Sequence, residues 1–144
     1  MSKMQIKIKK LNDDAVVPTY ARFGDAGADL YATEDVMIEG GNIVAVPTGI
    51  AIEIPTGYVG LIHPKSGNAS KGLTVINAPG TIDAGYRGEI KVLLVNHTGT
   101  MMYVRKGSKI AQLVIQEIIE AQFVMSNELS NSERGDGGFG STGS

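Results

Sequence analysis

KIAQLVIQEIIEAQFV, residues 109–124, can fold in two ways, and the choice decides whether the chain is β throughout. Ile110, Leu113, Val114 and Ile118 recur at helical spacing, and the Ala and Leu content favours a helix. The Ile and Val content favours extended chain, as a strand or a strand pair. Outside this segment the signs point one way. "MQIKIKK" (4–10) alternates with period two, and so does "GIAIEI" (49–54), which sets Ile50, Ile52 and Ile54 on one face and Ala51 and Glu53 on the other. "YVGLIH" (58–63) and "EIKVLLVNH" (89–97) are rich in β-branched residues and bounded by turn residues. Short strands punctuated by 19 glycines and 5 prolines predict an all-β sandwich or jelly roll. One short helix is expected over 66–71, with Ser66 as its cap and Gly72 as its stop.

The composition narrows what such a fold can do. A length of 144 residues suits one domain with its own core, and 42% apolar residues mark it as globular. A formal charge of −2 gives no electrostatic case for duplex nucleic acid or an anionic membrane. No apolar run approaches the roughly 18–20 residues that span a bilayer. "MSKMQIKIKKLNDD" lacks the apolar stretch of a signal peptide, so a cytoplasmic protein is expected. With no cysteine there is no disulfide and no thiolate zinc site; with two distant histidines, any metal should be hard and oxygen-bound, such as Mg²⁺. From Ser126 the chain changes to "SNELSNSERGDGGFGSTGS", almost all Ser, Gly, Asn and acid. The expected organisation is therefore a β domain over 1–125 and a flexible tail over 126–144.

Four stretches carry chemical groups. In "PKSGNASKG" (64–72), Lys65, the Ser66 hydroxyl and free N–H groups at a helix start could receive an anion; the same residues also serve an ordinary capped helix. In "GDAGADLYA" (24–32), Asp29 could hold a hydrated Mg²⁺ or simply lie at a strand edge. "PGTIDAGYRGE" (79–89) reads as a hairpin with Asp83-Ala84-Gly85-Tyr86 at its tip. Asp83 there is either a turn-former or an acid held out to activate a water beside a flat, polar ligand. In "RGDGGFGSTG" (134–143), Arg134 suits a phosphate, Phe139 can stack on a base, and Ser141 and Thr142 can donate to phosphate oxygens; a linker has similar glycine content. Together these are the components of a nucleotide-hydrolysing site.

Five segments in order, "DAGADLYA" (25–32), "PKSGNASKGL" (64–73), "NAPGTIDAGYRGEIKV" (77–92), "RKGSKIAQLVI" (105–115) and "RGDGGFGSTG" (134–143), resemble the motifs of the homotrimeric dUTPase family, the dUTP diphosphatases. The resemblance spans nearly the whole chain. It implies a distorted jelly-roll protomer of β-clip type with at most one short helix, and it resolves 109–125 as strand. It also implies a homotrimer with active sites at subunit interfaces, the tail of one chain closing over a nucleotide held by the others. The implied reaction takes dUTP and water to dUMP and diphosphate, limiting uracil in DNA and supplying dUMP for thymidylate synthesis. Asp83 would be the catalytic base, and Mg²⁺ on the triphosphate would reach Asp29 through water. Lys65, Ser66, Gly67 and Gln112 would bind phosphate. Asn77, Gly80, Thr81, Ile82, Tyr86 and Lys91 would surround uracil and deoxyribose. Arg134, Gly138, Phe139, Gly140, Ser141 and Thr142 would close over the base and the γ end. Two positions depart from the family's pattern: Lys65 replaces a usual arginine, and Asp136 stands where small neutral or hydroxyl residues are common. The alternatives are a dCTP deaminase-like or bifunctional relative, an added regulatory protein-binding role on the same fold, and a capsid-type structural jelly roll.

Overall fold

A computed structural model describes residues 3–143; residues 1, 2 and 144, at the outer ends of the expected domain and tail, lie outside it. The described chain is built of eleven strands and one helical turn: β1 (Lys7–Lys10), β2 (Gly27–Tyr31), β3 (Val36–Ile38), β4 (Ile43–Pro47), β5 (Ile50–Glu53), β6 (Tyr58–His63), α1 (Ser66–Ala69), β7 (Leu73–Val75), β8 (Gly80–Ile82), β9 (Lys91–Asn96), β10 (Met102–Val104) and β11 (Lys109–Glu117). The strands form a four-stranded sheet in the order β2-β11-β6-β8, a three-stranded sheet β4-β9-β7, and two ribbons, β1-β5 and β3-β10. Every pairing is antiparallel. One apolar core draws on every sheet, with Leu30, Ile38, Ile50, Val46, Val92, Leu94 and Ile110 sealed from solvent. The jelly-roll-like, all-β class expected from the short alternating segments is the class observed. Ile50, Ile52 and Ile54 enter the core while the Glu53 side chain stays out, as their alternation requires.

The ambiguous segment is a strand, but only in part. β11 is the centre of the larger sheet, hydrogen-bonded to β2 on one edge and β6 on the other. A strand paired on both edges satisfies all its backbone polar groups, and this outweighs the local helical spacing. It stops at Glu117 because its partner stops: Glu117 faces Tyr58, the first residue of β6, beyond which the Pro55–Gly57 turn leads away. Ile118 makes one last bond to the Gly57 carbonyl at 2.9 Å. The expectation of strand across 109–125, or of a strand pair, is corrected here. From residue 118 on, the described chain holds no strand or helix, and Ile119, Phe123, Met125 and Leu129 are almost fully exposed.

Two local readings also change. Ser66 does not cap α1. Lys65 occupies the cap position without a side-chain cap bond, and Ser66 is the first residue of a single turn. The helix expected over 66–71 is also shorter, ending at Ala69 with Ser70 as its C-cap, so Gly72 is not its stop; Gly72, at φ +93°, a left-handed conformation that glycine tolerates, lies in the turn beyond, where its N–H meets the Ala69 carbonyl at 3.0 Å. The 79–89 hairpin is not a hairpin of paired strands. β9 is flanked by β4 and β7, so both its edges are taken, and β8 pairs with β6 in the other sheet. The turn bearing Asp83 is therefore a corner where the chain passes from one sheet to the other.

Candidate active site

The Asp83 corner is closed by a bond from the Tyr86 N–H to the Asp83 carbonyl at 3.0 Å. Arg87 clamps it from outside, donating to the Ala84 carbonyl at 2.6 Å and pairing with Glu53 at 3.1 Å. The Tyr86 hydroxyl donates to the Glu89 carbonyl at 2.8 Å, and the Glu89 carboxylate accepts the Gly49 N–H at 3.0 Å. The Thr48 hydroxyl donates to the Ile90 carbonyl at 2.5 Å. These contacts tie the corner to the β4–β5 turn, so Asp83 stands on a braced segment. Beside it lies a cleft of about 520 Å³, lined by Asn77, Gly80, Thr81, Ile82, Asp83, Tyr86 and Lys91 together with Ile62 and Glu89. This is the size range of small-molecule sites. β8 is the outermost strand of its sheet. Its outer N–H and C=O groups are free of strand pairing, so a planar polar ligand can take them as a neighbouring strand would.

A second cluster lies on the sheet β2-β11-β6. Gln112 faces Asp29 across one edge and His63 across the other. Leu30 points into the core, so Asp29 points to the opposite face. The Asp29 side chain is only 3% exposed, and both its neighbours are cations: Lys65 Nζ hydrogen-bonds to Oδ1, and Lys109 Nζ stands 3.2 Å from Oδ2. Burial raises the Asp29 carboxyl's pKa, but the hydrogen bond from Lys65 and the positive charges of Lys65 and Lys109 outweigh it and hold the group below the usual carboxylate range. Gln112 Nε2 donates to the Pro64 carbonyl at 3.0 Å, holding the turn that carries Lys65 and the exposed Ser66. Gly27 makes room for this arrangement: a Cβ there would lie 2.2 Å from Gln112 Oε1.

This donor set does not suit a metal held by protein alone. Both oxygens of Asp29 face ammonium groups, and the described residues contain no grouping of three His, Cys, Asp or Glu side chains able to ligate an ion.

The third cluster is in the tail. Glu133, Arg134, Gly137, Gly138, Phe139, Gly140, Ser141 and Thr142 enclose about 720 Å³. Arg134 Nε donates to the Gly137 carbonyl at 2.7 Å, Phe139 is wholly exposed with φ +52°, and Asp136 faces solvent. The structure thus gathers the expected residues into three groups. No side-chain hydrogen bond or ion pair among the described residues joins one group to another. Sequence reasoning missed Glu89, Lys109 and Gly27. All three lie inside the quoted motifs, but only the fold reveals what they touch.

Known proteins resemble this chain over most of its length. The family model for dUTPase matches residues 13–143. A deoxyuridine 5′-triphosphate nucleotidohydrolase of Thermobifida fusca is 55% identical over 142 residues, covering 97% of this chain and 79% of its own. Among solved structures, the dUTPase of Staphylococcus bacteriophage 80alpha with dUpNHpp superposes with a TM-score of 0.91 at 31% identity, covering 99% of this chain and all of its own. A mutant dUTPase from S. aureus phage phi11, described as coordinating a structural Mg(II) ion, gives 0.81 at 28% identity, covering 87% of this chain and 98% of its own. No helix among the described residues is long and apolar enough to cross a membrane. Matched by the family model over nearly its full length and by a relative sharing more than half its residues, the chain belongs to the dUTPase family.

Proposed function

We propose that this chain hydrolyses dUTP to dUMP and diphosphate, with Asp83 as the general base. The observation that carries this is the convergence of Asn77, Gly80, Thr81, Ile82, Asp83, Tyr86 and Lys91 on one cleft beside an unpaired strand edge. Uracil takes the free backbone groups of β8, whose donors and acceptors match its polar edge and not that of cytosine. The close wall leaves no room for the 5-methyl of thymine, and Tyr86 packs where a ribose 2′-hydroxyl would sit. Asp83 removes a proton from a water; its oxygen bonds to the α-phosphorus, the bond to the bridging oxygen breaks, and diphosphate leaves. A positioned base contributes ~10²–10⁴-fold, or roughly 3–5 kcal/mol of barrier.

Lys65, Ser66, Gly67 and Gln112 receive the phosphates, and the tail group of Arg134, Gly138, Phe139, Gly140, Ser141 and Thr142 covers base and γ-phosphate. Mg²⁺ would suit this chain as an ion carried by the triphosphate, where it would offset phosphate charge, and Asp29 is the residue that would meet its water shell; no step above depends on it. Assembly as a homotrimer that brings the three groups together from different chains is supported by the lack of any side-chain hydrogen bond or ion pair joining them among the described residues and by the bare Ile119, Phe123, Met125 and Leu129.

The test is diphosphate release from dUTP, dTTP, dCTP and UTP, with the native mass read alongside. Release from dUTP alone by a trimer is expected. Ammonia from dCTP would point to the deaminase relative, and equal rates on all four would overturn the reading. Asp83→Asn is expected to lose ~10²–10⁴-fold in turnover while still binding dUpNHpp.

A further inference from the structure

Asp29 carries two cations where one would neutralise it. Lys65 and Lys109 reach different oxygens of the same carboxylate, and Oδ2 is sealed from solvent with Lys109 as its one ionic neighbour. The two lysines come from separate elements. Lys65 sits at the cap of α1 beside Ser66. Lys109 opens β11 at a bulge, where register shifts between Lys109 and Ala111, and Asn68 Nδ2 of α1 holds its carbonyl oxygen at 3.0 Å. Their side chains keep 30% and 48% of their exposure, so both ammoniums reach the surface while the carboxylate between them does not.

We propose that Lys109 is a positioning residue for the triphosphate, keeping Asp29 paired so that Lys65 can turn to a phosphate oxygen. The inference rests on the dUTP reading above. A lysine ends in a single ammonium, not a flat fork that can serve two anions side by side. If Lys65 were the sole partner of Asp29, each move toward a phosphate would strand a buried carboxylate, and an uncompensated buried charge is strongly destabilising. With Lys109 in place the cluster carries a net charge of +1 before the nucleotide arrives, and Asp29 keeps a counter-ion after Lys65 has left. Lys109 therefore acts on phosphate through Asp29.

That indirect action sets the test. Affinity for dUpNHpp and for deoxyuridine is measured on the full-length chain and on Lys109→Met, Asp29→Asn and the double variant, with thermal melting as the control for folding. Lys109→Met is expected to weaken dUpNHpp binding about tenfold, or ~1.4 kcal/mol, and to leave deoxyuridine, which has no phosphate, unchanged. In the Asp29→Asn background the same substitution should cost less than about twofold, because a neutral amide needs no counter-ion. Lys109→Arg should keep the parent affinity, and Lys109→Gln replaces Lys109→Met if the latter does not fold. A tenfold loss that persists in the Asp29→Asn background would make Lys109 a direct phosphate ligand and overturn the proposal, as would no loss in the parent background. A parent chain that fails to bind dUpNHpp would remove the dUTP reading and this inference with it. Binding by the parent without coupling to residue 29 would remove this inference alone.

Discussion

Gly27→Ala places a single methyl group where the structure has no space. The new Cβ would lie 2.2 Å from Gln112 Oε1, 2.8 Å from Gln112 Cδ and 2.9 Å from Gln112 Cβ. Gly27 is not among the residues with positive φ, so its backbone accepts alanine and the effect is one of space alone. The amide end of Gln112 can rotate away, at the cost of its bond to the Pro64 carbonyl, about 0.5–1.5 kcal/mol. Gln112 Cβ cannot rotate away, because the β2–β11 pairing fixes it, and relieving that overlap costs about 1–3 kcal/mol. Alanine returns about 0.5–1 kcal/mol over glycine within a strand. The net loss is therefore about 0.5–4 kcal/mol, read as a lowered denaturant midpoint at fixed protein concentration. Because the displaced amide supports the Lys65–Ser66 turn, dUpNHpp affinity should fall toward that of Gln112→Ala, which loses the amide altogether, but no further. Gly27→Ala in a Gln112→Ala background should cost less, since two of the three overlaps are then absent; the Cβ overlap remains, so the relief should be partial. A Gly27→Ala chain with parental midpoint and affinity would refute this account, as would an undiminished cost in the Gln112→Ala background.

The pH dependence follows from Asp29. A carboxyl held below its usual range contributes stability that is complete above about pH 4, its value in the unfolded chain, and drains away as pH falls through the folded value. Asp29→Asn should thus lose stability less steeply than the parent below about pH 4; parallel acid-unfolding curves would contradict this. Glu89→Ala frees the Gly49 N–H and loosens the corner, so kcat/KM should drop several-fold, and Glu89→Gln, which keeps an acceptor oxygen, should restore most of it. Deleting 126–144 should leave a folded domain with turnover nearly abolished, because no strand or helix of the described chain lies there; loss of the circular dichroism of folded β structure would show the tail is part of the domain. Asn96→Leu removes four hydrogen bonds from a fully buried amide, to the Ile38 and Thr100 carbonyls and from the Thr98 N–H and hydroxyl. Stranded carbonyls cost ~1–3 kcal/mol each, so the denaturant midpoint should fall further than for any surface substitution.

What the sequence conveys here is what local chemistry controls, and what it hides is what partners control. Ile50, Ile52 and Ile54 announce a buried face because alternation is a property of one strand. The end of β11 at Glu117 is not announced by the sequence, where Ile118 and Ile119 resume the apolar content after Gln116 and Glu117; it comes from where β6 begins. Asp83 is legible as a turn acid, yet the corner it occupies depends on β9 having both edges occupied by distant strands. Lys109 is the sharpest instance. In a regular strand, residues 109 and 112 point to opposite faces, so period-two reading sets Lys109 apart from Gln112 and from Asp29 opposite it. The bulge between Lys109 and Ala111 inserts one residue, places Lys109 opposite Tyr31, and returns its ammonium to the face that carries Asp29. The bulged pair, Ile110 and Ala111, is fully buried, so the irregularity is held by the core and not by the site. A change that straightens β11 there should therefore move Lys109 off Asp29 without touching any charged group. The second cation of the site thus depends on the packing of two apolar residues, which no motif of charged and polar positions records.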